Sequence, residues 1–275
     1  MRFVPAVAII AALMAARASA QTYPPQHPLP STTSVPALRD VATQREIEER
    51  FKIGIDAESR SDWTHAIAEF ERIVALNPSE PKGSTARYDL AIAYANLDRY
   101  DDAAKQLRAA IALDPAFLAA MANLISVDLS KGDLREARRI ADRYIALDPE
   151  SARALYSRGI VALAAGDAAT ARDDFGKLLH NNPSYAVAHY DLALAEERLG
   201  RYEPAERELR DALALAPTYA RARFALGVVL LREGQHDAAR NAFERATVDA
   251  AGDPALQNIA AAMRDSISIP KSNRL

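Results

Sequence analysis

Apolar residues recur along this chain at helical spacing, in short stretches broken at regular intervals. The clearest stretch runs from Ala186 to Pro217 and reads AVAHYDLALAEERLGRYEPAERELRDALALAP. It predicts two amphipathic helices joined at Gly200-Arg201-Tyr202 and closed by a proline, which cannot continue a helix. Pro115, Pro149, Pro183 and Pro217 lie 34 residues apart, and an alanine stands 12 residues before each, at Ala103, Ala137, Ala171 and Ala205. The same offset from Pro78 falls on Ala66, and from Ala251 on Ala239. The chain therefore holds six copies of one unit, the last of them without a proline. The step from Pro78 to Pro115 is 37 residues, so extra loop residues fall near Pro81-Lys82-Gly83.

Other offsets keep the register. Twenty-four residues before each close stand Gly54, Ala91, Ile125, Gly159, Ala193 and Gly227, mostly small. Eight before come Phe70, Leu107, Ala141, Phe175, Leu209 and Phe243, mostly large. Small residues let two helices approach, and large ones fill the groove beside them. Seventeen before come Ser61, Asp98, Gly132, Gly166, Gly200 and Gly234, where a turn can require a positive φ. No single copy can bury its apolar face, so the copies must stack.

This pattern resembles the tetratricopeptide repeat (TPR) family. The small residue midway along the first helix, the alanine early in the second, the aromatic or leucine after it and the closing proline all match. The resemblance covers roughly residues 43–251. The family's usual large aromatic early in the first helix is missing, and Arg50, Arg87, Met121, Leu155, His189 and Arg223 stand there. The resemblance implies an all-α, right-handed superhelical solenoid of about six helix-turn-helix repeats. It also implies that the first helices line a concave groove and the second helices form the outside.

The flanks read differently. Residues 1–20 carry Arg2, an apolar run from Val4 to Ala16 and Ala18-Ser19-Ala20, the layout of a signal peptide cleaved after Ala20. At that length the apolar run falls short of a membrane span, so no integral span is expected after cleavage. Residues 21–42 form a spacer with Pro24, Pro25, Pro28, Pro30 and Pro36, then a short helical lead-in. Thr43-Gln44-Arg45-Glu46 fits a capping box, placing the start of the first repeat helix there, with Ile47, Phe51 and Ile55 on one face. After the last repeat, residues 252–275 hold Asp253-Pro254, an N-cap and first-turn proline. Leu256, Ile259, Ala260, Met263 and Ile267 then line one face of a capping helix, followed by a short tail. The signal, the plain repeat and the preference for arginine over lysine point to a periplasmic or secreted bacterial protein.

Composition narrows the chemistry. The chain has 275 residues, 49% hydrophobic, and no cysteine, which excludes disulfides, thiolate metal sites and a lipidated N-terminal cysteine. Its net charge of −3 gives no nucleic-acid footprint. No catalytic constellation appears: serines lack a G-x-S-x-G context, and no glycine-rich phosphate loop exists. None of His27, His65, His180, His189 and His236 pairs with Asp or Glu at metal-ligand spacing on one helix face. His180 and His189 do flank one inter-repeat loop. No cofactor, metal or enzyme activity is expected.

The candidate site is the stripe on the first helices. Twenty-seven residues before each close stand Phe51, Tyr88, Ala122, Tyr156, Tyr190 and Phe224. Four residues on come Ile55, Ile92, Ser126, Ile160, Leu194 and Val228, on the same face. Asn123, Arg153, Asp191, Glu197 and Arg221 rim them. Such a stripe suits a protein or peptide segment, since aromatics bring contact area at low rotamer cost. It equally suits packing between repeats. A second patch, Arg135, Arg138, Arg139 and Arg143, lies on one second helix; it suits an acidic partner or anionic lipid, but reads first as a solvated face. The expected role is a non-catalytic interaction scaffold or assembly factor of the cell envelope. The alternatives are a self-associating structural homo-oligomer or an accessory subunit of an envelope enzyme. The oligomeric state is left open.

Overall fold

The computed structural model describes residues 35–78 and 81–267. The segment expected to be a signal peptide, most of the proline-rich spacer and the tail after Ile267 lie outside the described residues. Among the described residues the chain is all-α, with thirteen helices and no strand.

Six helices belong to the first unit, which runs to Leu147. They are α1 (Val35–Ser59), α2 (Trp63–Ala75), α3 (Lys82–Asn96), α4 (Tyr100–Leu113), α5 (Leu118–Lys131) and α6 (Leu134–Leu147). The second unit, from Asp148, holds α7 (Ala152–Ala164), α8 (Ala168–Asn181), α9 (Ala186–Arg198), α10 (Tyr202–Leu215), α11 (Ala220–Arg232), α12 (His236–Asp249) and α13 (Pro254–Ser266). Within each unit every helix packs on its neighbours in sequence, and in the second unit the first helices α7, α9 and α11 also touch in order. This is an all-α repeat solenoid, with one helical pair per copy of the sequence pattern.

The small and large offsets explain how each pair closes. A Cβ added at Gly54 would lie 2.7 Å from the Phe70 ring. The same holds for Gly159 on Phe175 (2.6 Å) and Gly227 on Phe243 (2.7 Å). Where the second helix carries leucine instead, at Leu107 and Leu209, the first helix carries alanine, at Ala91 and Ala193. Where it carries Ala141, the first helix carries Ile125. All six pairs are buried. Total volume at the crossing is thus held nearly constant, as close packing requires. The alanine early in each second helix, Ala66 through Ala239, is fully buried in all six copies, leaving no room for a larger side chain.

The turns behave as the glycines predict. Gly132, Gly166, Gly200 and Gly234 have φ between 74° and 81°. Ser61 and Asp98 hold the same left-handed conformation at 59° and 57°, a strained place for a residue with a Cβ. In the third copy the N–H of Asp133 reaches back to the Asp128 carbonyl (2.8 Å), so the turn satisfies carbonyls the helix end would orphan.

Two expectations are corrected. Thr43 does not cap the first repeat helix, because α1 already spans Val35 to Ser59 and the chain through Ala37–Ala42 is helical. Glu46 turns forward to Arg50 (2.8 Å) instead of back to the Thr43 backbone. In α13 the Asp253 side chain does accept from Leu256 N–H (3.1 Å), with Pro254 in the first turn. Ala260 and Ile267 are buried there, but Ile259 is exposed, on the side of the closing helix turned away from the core.

Candidate functional site

In the second unit, the predicted stripe residues on α7, α9 and α11 fall into two layers. The inner layer is aromatic. Tyr156 and Tyr190 are buried, and Phe224 is half-buried. Tyr156 packs on Phe175 of its own repeat (ring centroids 5.8 Å) and stacks on Tyr185 of the next (5.6 Å). Tyr190 meets Tyr219 at 5.2 Å, and Phe224 meets Phe243 at 5.3 Å. Tyr156 is thus sandwiched between the second-helix ring and an aromatic just before the next first helix, while Tyr190 meets the aromatic that follows it and Phe224 the ring of its own second helix. Their area is therefore largely spent on packing within and between repeats.

The outer layer is aliphatic and charged. Ile160, Leu194 and Val228 are half-buried, Arg153 is exposed and Arg221 is half-buried. In the first unit, Phe51, Tyr88, Ile92, Asn123 and Ser126 are half-buried, Ala122 is buried and Ile55 is exposed. There Phe51 packs on Phe70 (6.2 Å) and Tyr88 on Phe117 (5.0 Å).

Asp191 is the unexpected member. It was expected at the rim, yet it is fully buried beneath the tyrosines. The Tyr156 hydroxyl donates to its Oδ2 at 2.9 Å, while Oδ1 meets no hydrogen-bond partner. Burial pushes its carboxyl up to about 7, partly offset by the Tyr156 hydrogen bond. Burial and the adjacent acid raise Tyr190 to about 12 and push Tyr156 and Tyr219 upward as well. All of these hydroxyls are neutral at ordinary pH.

The sequence reading missed the aromatics Phe117, Tyr185 and Tyr219, which flank first helices and hold the inner layer in place. Their signal was present: each stands two residues after a closing proline, at Pro115-Ala116-Phe117, Pro183-Ser184-Tyr185 and Pro217-Thr218-Tyr219.

The arginine patch on α6 is partly engaged. Arg139 pairs with Glu136 (2.6 Å), and Arg143 donates to the Pro115 carbonyl (2.6 Å).

A tetratricopeptide repeat family model matches residues 51–116, 123–186, 158–219 and 190–254, most of the chain. The chain belongs to the tetratricopeptide repeat family. TPR modules bind protein partners. A search of curated proteins gives no match. Among solved structures, the chain is similar to a tetratricopeptide repeat protein from Parabacteroides merdae: 17% identity, 82% of this chain, 95% of that chain, TM-score 0.67. It is also similar to MamA from Desulfovibrio magneticus: 18% identity, 62% of this chain, 96% of that chain, TM-score 0.57. A chain of the APC/C hetero-tetramer Cut9-Hcn1 aligns with 85% of this TPR protein and 48% of its own length, at 17% identity and TM-score 0.63. At these identities the likeness establishes the fold alone.

Proposed function

We propose that this TPR protein is a non-catalytic interaction scaffold or assembly factor of the bacterial cell envelope. It would hold a segment of a partner protein along its first helices. One observation supports this reading most directly. In the second unit, Ile160, Leu194 and Val228 form a half-exposed aliphatic row on consecutive first helices, and Arg153 and Arg221 lie on the same helices. Beneath that row the tyrosines form a packed floor. A helical or extended partner segment can bury apolar side chains on such a row while its polar groups meet the arginines. The aromatic layer then contributes rigidity, and the contact area comes from the aliphatic layer above it.

Two further parts of this proposal rest on the sequence. Export follows from the N-terminal pattern and is tested by the mass of the envelope-fraction protein, expected to begin at Gln21. The absence of enzymatic activity follows from the lack of a catalytic constellation. No helix among the described residues is long and apolar enough to cross a membrane.

The binding reading is tested by a photoreactive residue placed at Leu194 or, as a contrast, at Arg139 on α6. A heterologous adduct at Leu194, lost when Arg153 and Arg221 are changed to alanine, supports it. Adducts at Arg139 alone overturn it. A second reading, self-association, is favoured by the exposed Val41, Ile53 and Ile55 on α1, the first helix of the array. Self-adducts alone, with a mass that rises with concentration, would select that reading.

A further inference from the structure

The fifth repeat departs from its siblings at one cluster outside the stripe. In the first repeat, Glu69 of the second helix sits between two fixed cations. Arg50 of the first helix donates to it at 2.9 Å and Arg72 at 2.7 Å. At the matching places the fifth repeat has Glu208, His189 and Asp211. Other copies carry Arg143, Lys177 and Arg245 where Asp211 stands, and Arg87 and Arg223 where His189 stands. Only here do an imidazole and two carboxylates meet with neither fixed cation at those two places. The arginines beside them on α10 are engaged elsewhere, Arg207 with Glu203 (2.9 Å) and Arg210 with Glu206 (2.5 Å).

The hydrogen bonds of His189 sharpen the point. Its Nε2 lies 2.9 Å from the Pro183 carbonyl oxygen, which can only accept, so Nε2 carries a hydrogen. Nδ1 then faces Glu208 Oε2 at 2.7 Å. In a neutral imidazole that would set a nitrogen lone pair against a carboxylate oxygen. A hydrogen, carried by the ring or by the Glu208 carboxyl, or a metal ion must lie between them. A ring N–H held by a backbone carbonyl is the support that metal-ligating histidines use to aim the other nitrogen. The third group is already in reach: ligand atoms of His189, Glu208 and Asp211 all lie within 4.8 Å of one another.

We propose that His189, Glu208 and Asp211 form a divalent transition-metal site, of the nitrogen-and-oxygen type that suits Zn2+. Around Zn2+, ligand atoms at about 2.1 Å from the metal stand about 3.4 Å apart. Nδ1 and Oε2 therefore separate by several tenths of an ångström while Asp211, exposed and flexible, closes in. One imidazole and two carboxylates neutralise the ion, and a solvent-facing position stays open beside Asp211. The metal takes over the task that Arg50 performs in the first repeat, tying the first helix to the second. Along the sequence the cluster is hidden, because His189 and Glu208 are 19 residues apart on different helices.

The test is isothermal titration of the full chain with Zn2+, repeated on Asp211→Asn and His189→Arg. The second variant restores the pairing seen in the first repeat and so keeps the helices joined; far-UV circular dichroism checks both. The expected result is one Zn2+ per chain, with affinity at least ~10-fold weaker in each variant. No saturable binding to the parent protein overturns the proposal and leaves His189 simply hydrogen-bonded to Glu208. Equal affinity in both variants also overturns it, because the ion would then sit elsewhere, such as beside His65, whose Nδ1 lies 2.6 Å from Asp62 Oδ2.

Discussion

Changing Gly159 to alanine should destabilise the protein, and changing Phe175 to leucine in the same chain should recover much of the loss. The added Cβ would stand 2.6 Å from the Phe175 ring, about 1 Å inside ordinary carbon–carbon contact. Forcing a methyl into a packed site costs about 1–3 kcal/mol, while replacing glycine by alanine within a helix returns about 1 kcal/mol. The net loss for Gly159→Ala is then up to about 2 kcal/mol. Phe175→Leu alone removes buried carbon and opens a cavity, at about 1–2 kcal/mol, well under the cost of a full truncation. Together the two changes recreate the pairing of Ala91 with Leu107, which is fully packed in the second repeat. The double variant should therefore be more stable than the sum of the singles by about 1–2 kcal/mol, within the coupling expected of residues in contact. Urea titrations followed by circular dichroism measure all four corners of the cycle. Losses that simply add, within about 0.5 kcal/mol, would refute the idea that volume is traded across the helix pair.

Two further predictions concern single groups. The Asp191 carboxyl is held near 7 in the folded chain and at its ordinary value of about 4 in the unfolded one. Between those values the folded state keeps a proton that the unfolded state releases, so this group's contribution to stability falls as pH rises through the window. Asp191→Asn removes the penalty while leaving Tyr156 an acceptor, and should raise stability at pH 8 by about 2–4 kcal/mol but hardly at pH 4. A variant no more stable than the parent at pH 8 would contradict the burial argument. Ser61 holds a φ of 59°, so Ser61→Gly should relieve left-handed strain and raise stability by up to about 1 kcal/mol, read as a higher melting temperature. An unchanged or lower melting temperature would mean the turn is not strained.

The repeat was legible because one helical pair is too small to bury its own face, so the same contacts must recur at the same spacing. The alanine offset, the turn residue and the proline each answer to a local constraint; the structure buries the alanine in all six copies and holds every turn residue at positive φ, with Ser61 and Asp98 standing where the others have glycine. The terminal cap at Asp253 was legible for the same reason. The start of α1 was not: Thr43 and Glu46 have the right spacing for a cap, but spacing says nothing of whether the preceding residues are already helical. The stripe was legible as a face, and its layering was not. Period alone cannot tell a ring facing solvent from one trapped beneath the next repeat, which depends on Tyr185 and Tyr219 arriving from the following loop. Asp191 shows the same limit, since a charged residue on a first helix reads as surface until the tyrosines around it are placed. His189 and Glu208 meet only through the crossing of two helices, a relation no single-helix spacing contains.

Trp63 opens α2 in the first repeat and is the chain's one tryptophan. Indole emission therefore reports on a single end of the array, while the far-ultraviolet helical signal averages over every repeat. In a stack whose members touch only their neighbours, the ends can fray before the middle. A gap between the fluorescence and dichroism melting curves would then count how many repeats open ahead of the rest, with no label added.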